Sequence, residues 1–288
     1  MLCLADQAGT AHSVAGSLGY PRGKSAQLLC LASPREEPTR YLTRGNVIFN
    51  RFNWLALFRA FWVLGEPFQF LVGLLRCRAP ETVHVRTPVG RITLTLRNAE
   101  SLKTLFSIFC RQDYYTSQEK PYLFLDIGAN IGLASAYFLS RNANNVVQSF
   151  EPDLTNLDYL RRNLAAFPGR AAIIDHAVAV RSGVTLLYRS EDGKHSSLSR
   201  SERAQIPQQT TTSAFDEIVR RTSLTNLPAV IKLDVEGMEM DLVRSVKFED
   251  YDNVHRLIYE GTGHSQWISR PHALTLRNGY IEDLSFVF

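Results

Sequence analysis

One stretch of the chain constrains its fold more than any other, the sequence YLFLDIGANIG at residues 122–132. Its apolar start ends on Asp126, and a loop with glycines at positions 128 and 132 follows. A helical pattern begins directly after that loop, at Leu133. A strand, a glycine loop and a helix in immediate succession form the first βα turn of a nucleotide-binding sheet. Because glycine adopts positive φ at little cost, such a loop lets the backbone approach a ligand closely.

An acidic residue follows at the spacing expected for a ribose contact. The next apolar run, residues 146–150, leads into Glu151, which lies 19 residues beyond Gly132. In nucleotide-binding sheets, a carboxylate about that far along the chain accepts hydrogen bonds from ribose hydroxyls. A glycine turn or a helix-start acid alone also occurs for purely structural reasons. The two together at this spacing predict a bound nucleotide.

The residues of the loop favour one kind of nucleotide over another. A dinucleotide fingerprint would have glycine where this chain has Asn130 and Leu133, and its loop would hold a pyrophosphate. Asp126, at the end of the first strand, is a poor neighbour for a diphosphate but suits a ligand with an ammonium and a sulfonium group. The sequence therefore favours S-adenosylmethionine over a nicotinamide dinucleotide. The loop and strand-end residues predicted to bind it are Asp126, Gly128, Asn130, Gly132 and Glu151.

From residue 121 onward, strand and helix patterns alternate. Strands are predicted at 122–126, 146–150, 171–175, 229–234 and 254–260. Helices are predicted near 131–141, 153–166, 213–222, 238–246 and 265–277. A β-like insert with strands at 184–190 and near 206–212 precedes the fourth strand, and a last strand ends the chain. The alternation predicts an α/β fold, a mostly parallel sheet with helices on both faces.

A second group of charged residues lies at the edge of the same predicted sheet. Residues 230–240 read VIKLDVEGMEM, and the strand ends at Asp234. Lys232, Asp234 and Glu236 alternate along the chain, so extended backbone would point them to one side. A lysine inside a strand is expensive unless it is paired, and the network could be purely structural. We favour a place at or next to an active site, because paired charges with perturbed pKa gather at such sites.

The motifs DIGANIG, FEP at 150–152 and KLDVEG at 232–237 resemble, in this order and spacing, the FkbM-type S-adenosylmethionine-dependent methyltransferases. The resemblance covers roughly residues 82–288. It implies the Rossmann-like class I methyltransferase fold, a cofactor held by the DIGANIG loop and Glu151, and methylation of a hydroxyl oxygen. Acceptors in this family include sugars, polyketides and other secondary metabolites.

The class I fold also implies where the adenine ring lies. Such enzymes commonly bind the ring beyond the third strand, through an aspartate side chain and the next backbone N–H. Asp175, His176 and Ala177 occupy that place here and are predicted to bind the adenine.

The combined prediction is an O-methyltransferase acting on a small-molecule or glycan hydroxyl. Methyl transfer from a sulfonium is an in-line displacement, so the enzyme must align the acceptor oxygen, exclude water and help remove the proton. Asp234 and Glu236 are predicted to orient or deprotonate the hydroxyl, and Lys232 to fix their ionisation or lower the pKa of the acceptor. The alternative bases are His195 and His264, and Glu260 is also predicted to lie at the edge of the cleft. Mg²⁺ on the carboxylates is disfavoured because nothing fixes a ligand geometry, and no metal site is predicted.

Two other functions stay open at this point. The chain could be a cofactor-binding scaffold without catalysis, which methyl turnover would distinguish. It could also be a nicotinamide-dependent oxidoreductase on a similar sheet, which Asn130, Leu133 and the carboxylate of Asp126 disfavour.

Residues 54–75 form the most hydrophobic stretch, long enough for a membrane span. Arg59, Glu66 and Gln69 interrupt it, and a charge near a bilayer centre costs about 2.5–3.5 kcal/mol. Pro67 would also break a helix in the middle. The stretch therefore predicts two short amphipathic helices and no transmembrane span. We expect them to pack on the protein's own core or on a second copy in a homodimer, with peripheral membrane contact as the alternative.

Three regions follow along the chain. Residues 1–40, rich in Ala, Gly, Ser and Pro, are predicted to be a poorly ordered leader. Residues 41–120 form an N-terminal accessory region of amphipathic helices and a β-hairpin, the hairpin indicated by alternation over residues 82–97 around a Pro-Val-Gly turn. Residues 121–288 form the predicted methyltransferase domain.

Composition narrows the partners and the compartment. The 288 residues include 32 basic and 28 acidic side chains, and the net charge of +4 is too small to indicate nucleic-acid binding. The four cysteines show no CxxC spacing, so neither a zinc site nor a disulfide framework is predicted. The first 20 residues lack the basic start and apolar stretch of a signal peptide, and a cytoplasmic protein is predicted.

Overall fold

The structure, a computed structural model, describes residues 51–116, 118–189, 196–198, 205–235, 237–260, 268–277 and 281–286. The predicted leader at residues 1–40 lies outside these ranges, as do residues 41–50 of the predicted accessory region.

Two helices and a hairpin open the described part of the chain. Helix α1 spans Arg51–Val63 and helix α2 spans Pro67–Arg76, so the predicted break at Pro67 is confirmed. Strands β1 (Thr82–Thr87) and β2 (Gly90–Thr95) pair antiparallel across a two-residue turn, which confirms the hairpin. Helix α3 (Ala99–Leu105) follows and continues as a π-helical turn. In these ranges no helix is long and apolar enough to cross a membrane.

The central sheet contains seven strands within the described ranges. In chain order they are β3 (Leu123–Ile127), β4 (Val146–Phe150), β5 (Ala171–Ile174), β9 (Ala229–Leu233), β10 (Val254–Glu260), β11 (His272–Arg277) and β12 (Ile281–Phe286). Their order across the sheet is β11-β12-β10-β9-β3-β4-β5, and only β12 runs antiparallel to its neighbours. The predicted α/β fold with a mostly parallel sheet is confirmed.

Helices cover both faces of this sheet. Helices α4 (Leu133–Leu139) and α5 (Leu154–Leu164) share one hydrophobic cluster with α1, α2, α3 and the hairpin. Helices α6 (Phe215–Thr222) and α7 (Glu239–Ser245) belong to a second cluster. Side chains of a strand point alternately to the two faces. Phe124 accordingly belongs to the first cluster and Leu125 to the second.

The predicted β-like insert is also confirmed. Strands β6 (Ala177–Ala179), β7 (Gly183–Arg189) and β8 (Ile206–Ala214) form a small sheet with β8 in the middle. This sheet follows directly on the end of β5, so it borders the edge where ligands are expected.

The helix predicted at residues 265–277 is wrong. Residues 272–277 form β11, and all six pair with β12. Local periodicity in HALTLR suits a short helix as well as a strand. The pairing with β12 decides between the two, and that contact is not visible in the local pattern.

Candidate active site

The strand order places a crevice between β3 and β9. From this pair the sheet is extended in opposite directions, toward β4 and β5 on one side and β10 on the other. Ligands of open α/β sheets bind at the carboxyl edge beside such a switch point. Asp126 and Lys232 are direct neighbours across the pair, as are Ile127 and Leu233. The two sequence motifs therefore meet at this edge.

Lys232 lies at the centre of a buried charge network. Its Nζ atom donates to Asp126 Oδ1 at 3.0 Å and to the carbonyl oxygen of Gly128 at 3.0 Å. It is also 3.2 Å from Asp234 Oδ2. The second oxygen of Asp126 accepts a 2.6 Å hydrogen bond from the hydroxyl of Ser135. The predicted pairing of Lys232 with Asp234 is thus seen, whereas its pairing with Asp126 was not predicted and Glu236 lies outside the described residues.

The network keeps Lys232 charged. Burial lowers the pKa of Lys232, but the carboxylates of Asp126 and Asp234 outweigh this effect, and the net shift is upward. A permanently charged ammonium cannot accept a proton, so Lys232 is not a base. Its positive charge attracts the neighbouring carboxylates and limits their orientations.

Asp126 is oriented differently from the sequence expectation. Its side chain was expected to face the cofactor, but it is fully buried and both of its oxygens are bonded within the protein. A carboxylate buried without such partners would destabilise the fold. Asp126 therefore binds Lys232 on the buried side of the network. Asp234, with a third of its side chain exposed, is the carboxylate of the network that solvent or a ligand can reach.

The glycine loop fits closely against the loop that follows β9. Gly128 has φ of +78°, and a Cβ atom on it would lie 1.9 Å from the carbonyl oxygen of Asp234. The backbone N–H of Asp234 donates to the carbonyl of Ile127 at 3.0 Å. Gly128 thus has a structural reason to lack a side chain, because the two strand ends could not otherwise approach each other.

Glu151 supports the glycine loop from the end of β4. Its carboxylate accepts from the backbone N–H groups of Asn130 at 2.7 Å and Asp153 at 2.8 Å, and from the Asn156 amide at 3.5 Å. Asn130 adopts the left-handed conformation with φ of 51°. Burial raises the pKa of Glu151 to about 7, although these hydrogen bonds act in the opposite direction. Three acceptor positions are in use, and a carboxylate offers about four.

The residues predicted to bind adenine lie between the end of β5 in the central sheet and the start of β6 in the small sheet. Asp175 is exposed just beyond β5, and Ala177 is the first residue of β6. His176 shares a 2.8 Å hydrogen bond between its Nδ1 and the hydroxyl of Ser213. His176 and Ser213 also line a groove of about 170 Å³ whose apolar wall includes Ile174.

Several predicted residues lie outside the described residues, namely Glu236, His195 and His264. Glu260 is exposed at the end of β10. Among the residues that the structure describes, no three Asp, Glu, His or Cys side chains come together as metal ligands do.

The structure adds two residues that the sequence reasoning missed. The carboxylate of Glu239 accepts from the backbone N–H groups of Val235 at 3.1 Å and Gly237 at 2.9 Å, and so supports the loop after Asp234. Ser135 anchors Asp126 and bonds the hydroxyl of Ser149 at 2.8 Å. Ser135 is a polar residue within the apolar run at 133–139, which was the available signal.

Residues 126–262 match the methyltransferase FkbM domain. The match covers 137 of the 288 residues, just under half of the chain. The predicted family is confirmed, and the match also supports the predicted methyl donor, S-adenosylmethionine. No curated protein sequence matches the chain.

Solved methyltransferases resemble the chain at low sequence identity. The FkbM methyltransferase from Methylobacillus flagellatus KT has a TM-score of 0.40 and 14% identity, over 82% of this chain and 59% of that one. TrmK from M. capricolum, in complex with S-adenosylhomocysteine, has a TM-score of 0.33 and 9% identity, over 58% of this chain and 62% of that one. The tRNA (uracil-54, C5)-methyltransferase from Pyrococcus abyssi is also in complex with S-adenosylhomocysteine. It has a TM-score of 0.35 and 10% identity, over 73% of this chain and 45% of that one. The chain thus spans less than two thirds of the length of each.

Proposed function

We propose that this protein is an S-adenosylmethionine-dependent methyltransferase that methylates a hydroxyl oxygen of a sugar, a glycan or another small metabolite. The observation that carries the proposal is the charge network at the sheet edge. It runs from buried Asp126 through Lys232 to the partly exposed carboxylate of Asp234, beside the glycine loop. The match to the FkbM methyltransferase domain covers this whole edge.

The groups at this edge suit S-adenosylmethionine better than a diphosphate nucleotide. Carboxylates repel a diphosphate but accept hydrogen bonds from ribose hydroxyls and from an ammonium group. Glu151 and the glycine loop would hold the ribose and the methionine part, and Asp175, His176 and the backbone of Ala177 the adenine. Asp126 would act indirectly, by fixing Lys232 and the loop. When bound, S-adenosylmethionine supplies a methyl group already activated on a sulfonium centre.

Asp234 is the residue of the network best placed for the acceptor. Its carboxylate can accept a hydrogen bond from the acceptor hydroxyl and take up the proton as the oxygen is methylated. The ammonium of Lys232, 3.2 Å away, limits the orientations of this carboxylate. Glu236, two residues further on, remains the second candidate for this task.

Methyl turnover by a matched pair of variants tests the proposal. The full chain is incubated with methyl-labelled S-adenosylmethionine and an extract of its own organism, and the labelled product is identified. Asp234→Asn is nearly isosteric and should lower the rate by about 10²–10⁴, the usual range for general acid–base catalysis. The variant should still fold and bind the cofactor, because Asp126 and the Gly128 carbonyl continue to hold Lys232. Asp241→Asn, an exposed control on α7, should keep the parent rate.

Three outcomes would contradict the proposal. Binding of S-adenosylmethionine without any turnover favours a cofactor-binding scaffold. Binding of NAD in its place favours an oxidoreductase. A labelled nitrogen or carbon in the product retains the methyltransferase but rejects the hydroxyl acceptor.

A further inference from the structure

A large apolar surface covers the outward sides of α1 and α2. We call it the aromatic face, and its side chains are between 42% and 73% exposed: Trp54, Leu55, Phe58, Phe61, Trp62, Phe68, Val72 and Leu75. At about 150–250 Å² per aromatic side chain, its five aromatic residues alone expose roughly 600 Å². That is the upper end of the largest apolar patch on a typical monomer, and such patches mark interaction sites.

Helix α1 packs on the protein through its small residues. Ala56 and Ala60 are fully buried, whereas Phe58 and Trp62 point outward and are 62% and 70% exposed. A helix that only covers its own core has the reverse arrangement, with large apolar residues inside and polar residues outside. The expected amphipathic pattern therefore fails for α1, because both of its sides are apolar.

The outward sides of the two helices form one continuous surface. In α1, Trp54, Phe58 and Phe61 follow the i, i+4, i+7 spacing of a single helix face, as do Phe68, Val72 and Leu75 in α2. The rings of Phe61 and Phe68 meet edge to face across the break, with centroids 5.5 Å apart. The aromatic face is therefore presented as a unit rather than as scattered residues.

The segment of the chain that carries the aromatic face has a positive net charge. Residues 51–97 contain seven arginines and two glutamates, a net charge of +5, although the whole chain carries only +4. Arg76 and Arg78 are exposed at the end of α2, and Arg91 is exposed on the hairpin. Arg86 donates to the carbonyl of Leu64 at 2.9 Å, which ties the end of α1 to the hairpin.

We propose that the aromatic face seats the protein on the surface of an anionic lipid bilayer. Tryptophan and phenylalanine favour the boundary between head groups and acyl chains, and arginines beside them attract acidic lipids. Helices α1 and α2 would lie in the plane of the interface. With 13 residues, α1 is about 20 Å long, so it covers a head-group area without spanning the bilayer.

The charges disfavour the two other occupants that could cover an apolar face. In a two-fold dimer, the same surface of a second copy would bring the same arginines together, and like charges at an interface repel. Residues 1–50 of the chain itself carry five basic and three acidic side chains, a net charge of +2. They offer no complement to the positive charge of residues 51–97, whereas acidic lipids do.

Vesicle flotation of the full chain tests the proposal. The protein should float with vesicles of phosphatidylcholine and phosphatidylglycerol about tenfold or more over phosphatidylcholine alone, and high salt should weaken this binding. The triple variant Phe58→Ser, Trp62→Ser, Phe68→Ser should lose flotation. Leu224→Ser removes an exposed leucine outside the face, which is 85% exposed, and should float like the parent.

Two charge-reversal variants test the proposal independently if the triple variant fails to fold. Arg76→Glu should lower flotation with acidic vesicles several-fold, while Arg181→Glu, an exposed arginine away from the face, should not. Circular dichroism and thermal melting confirm the fold of each variant. Absence of flotation by the parent, or equal flotation by Arg76→Glu and Arg181→Glu, overturns the proposal.

Tryptophan fluorescence separates the other occupants. In the full chain with Trp267→Phe, the remaining tryptophans are Trp54 and Trp62. Acrylamide should quench them in solution, and acidic vesicles should protect them and shift their emission to the blue. Protection of these tryptophans from acrylamide in the absence of vesicles would indicate that protein, rather than lipid, covers the aromatic face. If sedimentation then shows a dimer that the triple variant dissociates, the occupant is a second copy; if it shows a monomer, it is the chain itself. Either result rejects the bilayer.

Discussion

The carboxylate of Glu151 is buried by the loop that it supports. Its bonds to the N–H groups of Asn130 and Asp153 explain its presence at the end of β4 without any ligand. The spacing argument placed Glu151 at the end of the second strand, and the structure has it directly after β4. It could not show that Glu151 also shapes the glycine loop, since that contact joins residues 21 positions apart.

The raised pKa of Glu151 predicts a pH-dependent cofactor affinity. Ribose hydroxyls donate to a carboxylate, so binding favours the ionised form, and below a pKa of about 7 that form must be produced first. Each pH unit below the pKa costs about 1.4 kcal/mol. We expect the Kd of 5′-methylthioadenosine, which has the ribose and adenine but lacks the α-amino group of the methionine part, to be about tenfold higher at pH 6 than at pH 8.

Calorimetric titration at several pH values measures this dependence. Glu151→Gln should bind more weakly and show a flat profile, because its amide does not titrate. Asp158→Asn, at an exposed carboxylate on α5, serves as the control and should keep the slope of the parent. A flat profile in the parent would mean that Glu151 does not hold the ribose.

At the scale of elements, local pattern predicted the strands that border the site. The motifs around Asp126 and Asp234 were placed correctly on the ends of β3 and β9, because buried parallel strands give continuous apolar runs. The pattern failed at residues 265–277, where pairing with β12 makes a strand of residues 272–277. It also gave no sign that Glu239 supports the loop after Asp234, since an acid in the first turn of a helix is common.

Alanine substitution at two glycines with similar φ angles distinguishes the cost of the left-handed backbone conformation from the cost of a steric clash. Gly128 and Gly169 have φ of +78° and +73°, but a Cβ on Gly169 meets nothing within 4 Å. Gly169→Ala should therefore cost about 1–2 kcal/mol of unfolding free energy, the price of the left-handed conformation alone. Gly128→Ala adds the clash with the carbonyl of Asp234, and we expect about 3–5 kcal/mol in total.

Urea unfolding of the two variants gives both free energies. Gly128→Ala should also weaken cofactor binding, because relief of the clash moves the loop or the end of β9. Equal losses for the two variants would show that the glycine loop and the loop after β9 are not held in close contact.

At the scale of the whole molecule, the accessory region and the sheet share one core. The predicted boundary at residue 120 separates two sequence patterns, but α1 to α3 and the hairpin belong to the same hydrophobic cluster as α4 and α5. Hydrogen bonds of Asn163 on α5 also connect the accessory region to the sheet domain, in addition to the shared apolar contacts. Its Oδ1 accepts from the N–H of Thr95 at 2.6 Å, and its Nδ2 donates to the carbonyl of Ile131 at 2.7 Å. One side chain thus joins the hairpin to the glycine loop.

A pair of core variants distinguishes this coupling from general loss of stability. Asn163→Ala removes the bonds to Thr95 and Ile131, at roughly 1 kcal/mol each, and leaves the part-buried N–H of Thr95 without its acceptor. Phe106→Ala, in the accessory region and stacked on Phe70, should cost about 3–5 kcal/mol without touching the loop. Both should lower a single melting transition. Only Asn163→Ala should also raise the Kd of S-adenosylmethionine, by about five- to tenfold, because the loop loses an anchor worth about 1 kcal/mol. If Phe106→Ala weakens the cofactor equally at a temperature where both variants are folded, then the accessory region acts on the site through the shared core, and Asn163 is not the connection.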